Sequence, residues 1–196
     1  MNLALPPKTK TKIAPAAGVV AVFLVGATLV LLLLRGMPLC GDALYYHLDA
    51  ENLIAGTPDS PAFYYPPGMT FLLAGAYAIL GSSAWTARLL GLCLGVLSLC
   101  SIMALAAGLT RSRYAVCLAG GITALYAPLL LLIPQPYPQH LTLSCLTVSS
   151  ALWLLGLERI SDSSRVSRGL PSLLPFPFAG FLLGIGILSK PATATT

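Results

Sequence analysis

The sequence predicts an all-α, polytopic transmembrane protein with about five spans and juxtamembrane helices in its first outer loop. Three observations carry this. Hydrophobic residues make up 57% of the 196 positions and charged residues only 9%, against roughly 25% charged in a soluble domain. Mean hydropathy is +0.85. The apolar residues gather into runs of membrane length, and the charges fall in the links between them. The net charge of +5 is spread over short loops rather than one stripe, the pattern of an orientation signal, so no nucleic-acid partner is expected.

The first run, 13–34, follows Lys8, Lys10 and Lys12 and holds no charge, enough for the ~20 residues a bilayer core requires. It exceeds the ~7–15 residues of a signal-peptide core, and the bulky Leu39 before Cys40 disfavours lipoprotein cleavage. Residues 1–12 therefore form a cytoplasmic tail ahead of a retained anchor. Further runs at 84–109, 115–133, 141–157 and 175–188 predict four more spans within a module covering 13–190. Cys93, Cys100, Cys117 and Cys145 fall inside spans as small hydrophobes, Cys40 stands alone in the loop, and no disulfide is expected. The chain stops at 191–196 directly after an apolar run, which reads as a truncated end.

The segment 67–81 is too short to cross: at ~1.5 Å per residue it reaches ~20 Å against a ~30 Å core. The basic residues agree that it lies flat. In that topology Arg35, Arg88 and Lys190 are outside, and the other eight of the eleven Lys and Arg are inside. If 67–81 crossed, only Lys8, Lys10, Lys12, Arg88 and Lys190 would be inside, against six outside. The flat topology gathers the loop 36–83, the turn 134–140 and the end around Lys190 on the outer face.

The outer loop holds Asp42, Asp49, Glu51 and Asp59, four of the six carboxylates. Ionisable groups beside a bilayer are costly, so such a cluster marks a functional site by default. Residues 43–55 read as a helix ended by Gly56, with Asp42 suited to cap it and Asp42, Tyr46 and Asp49 on one face. The bland alternative is that Asp42 only caps while Asp49 and Glu51 are solvated. Tyr45, Tyr46, Tyr64 and Tyr65 suit the headgroup level, and Pro66 and Pro67 fix the entry to the flat helix. An apolar helix beneath a carboxylate makes a groove for a lipid tail whose head meets the acid. His47 and Glu51, four apart, read as a pair on the solvent side of the helix; two ligands without a third are a weak metal signal.

These features together resemble the GT-C-type glycosyltransferases related to dolichyl-phosphate-mannose protein mannosyltransferases and bacterial aminoarabinose transferases. The resemblance is carried by Gly41-Asp42-Ala43-x-Tyr45-Tyr46 with Ala50-x-x-Leu53-x-x-Gly56 and by Tyr65-Pro66-Pro67-Gly68. Leu80-Gly81-Ser82, Ala87-Arg88-Leu89 and Leu183-Gly184-x-Gly186-x-Leu188-Ser189-Lys190-Pro191 follow in the family's order and spacing. It implies inverting transfer of a hexosyl or pentosyl group from a polyprenyl- or dolichyl-phosphate carrier to a hydroxyl of a protein, lipid or glycan acceptor. The implied location is the outer face of the bacterial inner membrane.

Asp42 matches the family's catalytic acid and would serve as general base, a role typically contributing 10² to 10⁴ in rate. Tyr45, Tyr46, Asp49, Tyr65, Arg88, His140 and Lys190 are the expected substrate-binding positions. Arg88 and Lys190 would meet the leaving phosphate or, on the plainer reading, snorkel to the interface. The turn 134–140 departs from the family in lacking a second carboxylate; Gln139 or His140 stands there instead. His140 is then a helper or a partner of Asp42 on a divalent ion, or merely a cap. The cofactor is unknown, a divalent metal ion being the one considered, and no metal ligands are assigned. Two other classes fit the same residues: a non-catalytic membrane subunit or carrier-lipid transporter, and an inactive fragment.

Overall fold

The computed structural model describes residues 14–57, 65–110, 112–161 and 174–189. Among these the chain is all-helical: α1 (Ala14–Leu33), α2 (Asp42–Ala55), α3 (Gly68–Leu80), α4 (Ala84–Thr110), α5 (Arg113–Leu125), α6 (Ala127–Leu132), α7 (Gln139–Ser161) and α8 (Pro175–Ser189). Three helical stretches are long and apolar enough to cross a membrane: Pro15–Leu33, Ala84–Thr110 and Gln139–Glu158.

The run 115–133, expected as one span, is two helices. α5 ends at Tyr126, whose backbone is extended (φ −74°, ψ 97°), and α6 restarts with Pro128 in its first turn. Pro128 has no N–H to offer Ala124, four residues back, and its ring would collide with that carbonyl in a continuous helix. α8 is likewise short, at 15 residues.

α4 is the hub. On one side Phe23, Ala27 and Leu31 of α1 pack with Leu99 and Met103 of α4, Ala124 of α5 and Ile133. On the other, Tyr46 and Ala50 of α2 and Met69, Leu73 and Tyr77 of α3 pack with Ala87 and Leu94 of α4 and Leu141 and Cys145 of α7. The second core seats the α2–α3 pair on the bundle.

Local chemistry sets the ends of these elements. α2 stops at Gly56 in the left-handed conformation (φ 67°), where the Gly56 and Thr57 N–H groups return to Leu53 and Asn52, the glycine-terminated ending the sequence predicts. Its start differs from expectation: Gly41 is the cap residue, and Asp42 makes no capping bond. At α4 the Ser83 hydroxyl accepts from the Thr86 N–H at 3.1 Å, satisfying one of the free amides of the first turn.

Candidate functional site

Asp42 opens α2, where its carboxylate favours the positive end of the helix dipole. The Tyr65 hydroxyl donates to its Oδ1 at 2.8 Å. Tyr65 in turn packs its ring against Tyr46 and Tyr45, centroids 5.3 and 5.8 Å away. One turn along α2 from Asp42, Tyr46 is 1% exposed, and its hydroxyl has no hydrogen-bond partner. Burial, reinforced by Asp42, Tyr65 and Asp49, pushes this phenol up to about 12, so it stays neutral at physiological pH. Asp49, on the same face, is pushed above the ordinary carboxylate value by burial.

A fourth tyrosine, Tyr137, belongs to this group and was not among the residues singled out by sequence. Its hydroxyl lies 3.3 Å from where a Cβ on Gly41 would sit, and Gly41 holds φ +56°. Burial, then Asp42, raise the Tyr137 phenol. The signal was present in Pro134-Gln135-Pro136-Tyr137-Pro138: the three prolines are buried, and the two residues between them are not. Gln135 turns to the same segment as Tyr137. Its Oε1 accepts from the Cys40 N–H, and its Nε2 donates to the Pro38 carbonyl, both at 3.2 Å. The first loop and the 134–138 turn therefore meet beside Asp42.

The other expected positions divide. Arg88 is 3% exposed and donates to the carbonyls of Arg35, at 3.0 Å, and Met37, with Trp85 stacked 5.5 Å from its guanidinium. It binds backbone just beyond the end of α1, where carbonyls lack helical partners, rather than reaching the interface as a snorkelling anchor. His140 is 1% exposed. Its Nε2 donates to the Leu129 carbonyl at 3.0 Å, and its Nδ1 lies 3.4 Å from the Ser98 hydroxyl. The partners of the His140 ring are in α4 and α6, and none is in α2. Lys190 lies outside the described residues, as do Asp59 and Tyr64.

His47 and Glu51 do pair, at 3.6 Å, the Glu51 side chain 41% exposed and that of His47 15% exposed. His47 Nδ1 is 2.6 Å from the Tyr77 hydroxyl of α3, and Glu51 accepts from Ser82, so His47 ties α2 to α3 and Glu51 ties it to the link between α3 and α4. Among the described residues, no three His, Cys, Asp or Glu side chains converge as metal ligands. The Asp42 cluster can accept a proton and can present phenol faces and hydroxyls to a polar ligand. No family model, no curated protein and no solved structure matches this chain.

Proposed function

We propose that this protein is a membrane glycosyltransferase of the GT-C type. It transfers a sugar from a polyprenyl- or dolichyl-phosphate carrier to an acceptor hydroxyl at the outer membrane face, with inversion. One observation carries the proposal: the Tyr65 hydroxyl holds Asp42 at the head of α2, with Tyr45, Tyr46 and Tyr137 close by, and α2 packs through Tyr46 and Ala50 on the apolar helix α3. The ordered sequence pattern from Gly41 to Pro191 supports the same reading.

Asp42 takes the proton of the attacking hydroxyl as that oxygen bonds to the anomeric carbon and the lipid phosphate departs. Tyr65 holds the carboxylate in place, Tyr46 offers a neutral hydroxyl beside it, and Tyr45, more than half exposed, gives a sugar or headgroup a ring to rest on. The guanidinium of Arg88 is engaged by backbone carbonyls, so the proposal assigns the leaving phosphate to Lys190.

The proposal includes five crossings, with α5 and α6 sharing one and α8 making the last, and with α3 along the outer leaflet. Broken helices are tolerated in a membrane where neighbouring helices satisfy the freed backbone groups, and a short crossing is accommodated by local thinning. The bacterial inner membrane, with the N-terminus cytoplasmic, is the location this implies.

The test is an assay of membranes containing the chain, with radiolabelled polyprenyl-phosphate sugars as donors. Asp42→Asn should lower transfer by about 10² to 10⁴ while retaining carrier-lipid binding. Unchanged transfer would remove Asp42 from the chemistry, and carrier binding without any transfer by the unmodified chain would leave a lipid-carrier binder instead.

A further inference from the structure

Residues 35–41 leave α1 and deliver Asp42, and among the described residues they form no helix or strand of their own. Their backbone groups need partners; the Met37 N–H turns back to Leu34, and side chains of the bundle serve Arg35, Met37, Pro38 and Cys40. Arg88 takes the carbonyls of Arg35 and Met37. Gln135 takes the carbonyl of Pro38 and the N–H of Cys40. Tyr137 then closes against Gly41.

The two fastenings differ in what they are anchored to. Arg88 is in the first turns of α4, within the hub helix. Gln135 is on a turn whose φ angles are fixed by Pro134, Pro136 and Pro138, all packed into the bundle. A rigid turn of this kind loses little freedom when it binds the strap, and a fixed position for the base is what a hydroxyl attack needs.

We propose that Gln135 is a positioning residue. By bridging Pro38 and Cys40 it sets where Asp42 stands relative to Tyr137 and Tyr65. The inference rests on the proposed role of Asp42 as base, and it has a consequence that does not depend on that role. Cys40 is an exposed free thiol on the clamped strap, so its reactivity reports whether the clamp is closed.

The experiment uses the full chain in membranes, with Cys93, Cys100, Cys117 and Cys145 replaced by Ala so that Cys40 alone reacts with a membrane-impermeant maleimide. Gln135→Met keeps the side-chain volume and loses both hydrogen bonds; Gln135→Glu keeps the acceptor for the Cys40 N–H and loses the donor to Pro38. Both should raise the Cys40 labelling rate, roughly threefold or more for Met and less for Glu. In the transfer assay both should lower kcat, by about tenfold for Met, at little change in KM. Thermal melting of the purified variants within a few degrees of the parent establishes that the fold is kept.

Labelling of Cys40 at the parent rate in both variants would overturn the clamp. Faster labelling with kcat unchanged would overturn the positioning role. A parent chain that transfers no sugar, yet shows the graded rise in labelling, would sink the transferase reading and leave the clamp standing.

Discussion

Tyr46, on the buried face of α2, and the half-buried Asp49 beside it illustrate how single residues of the site trade stability against chemistry. The Tyr46 hydroxyl is buried without a partner, a cost on the order of 1–3 kcal/mol, and the burial of its ring in the core under α2 offsets it. Asp49 carries its cost as a pH dependence. Burial raises its carboxyl above the ordinary 3.8, so the folded protein holds that proton more tightly than the unfolded chain. The stabilising contribution is complete below 3.8 and is lost as pH rises through the folded value. At neutral pH the ionised group is a net burden. Asp49→Asn should therefore raise the melting temperature in detergent at neutral pH, with the gain vanishing below 3.8. A gain that did not shrink on acidification would refute the desolvation account. Arg88 and His140 show the complementary case. Their polar side chains were legible in the sequence, but their partners, the carbonyls of Arg35, Met37 and Leu129, are backbone atoms that no residue pattern identifies.

At the scale of elements, the C-terminal end of α6 supplies the partner of the buried His140 ring. The Ile133 N–H turns to the carbonyl of Leu130 instead of Leu129, which leaves the Leu129 carbonyl for His140 Nε2. Around that contact α4 and α7 share a seam of hydroxyls, with Ser98 3.0 Å from both the His140 carbonyl and the Ser144 hydroxyl, the kind of polar pairing that joins helices where water is absent. The same region requires a glycine. A Cβ on Gly91 of α4 would overlap the Ile133 carbonyl, and backbone cannot rotate aside. Gly91→Ala should cost roughly 1–3 kcal/mol by forcing α4 and the α6 end apart. Gly180 and Gly184 of α8 have nothing within 4 Å of the added atom, so alanine there should be neutral or gain about 0.5–1 kcal/mol from helix propensity. Melting curves of the three variants decide this; equal losses would mean that the α4 crossing is not close-packed.

For the whole molecule, the decisive arrangement is which ends of the helices share a compartment. If α3 lies along the outer leaflet, the α4–α5 link is cytoplasmic, and the single-cysteine variant Ser112→Cys should resist an impermeant maleimide in intact cells and react after the membrane is opened. Reaction in intact cells would separate the Asp42 loop from the 134–138 turn in the proposed topology. The sequence by itself determined that the described chain is helical with apolar runs of membrane-crossing length, where most runs begin and end, and that four of the six carboxylates fall in the loop that Asp42 opens, because composition, apolar run length, prolines and glycines act over a few neighbouring residues. Only the tertiary structure decided that Tyr137 and Gln135 stand beside Asp42, that Arg88 fastens the strap, and that His140 serves the end of α6. Those contacts join residues 11 to 97 positions apart. Such pairings arise from how the helices pack on α4, and short-range preferences carry no record of that packing.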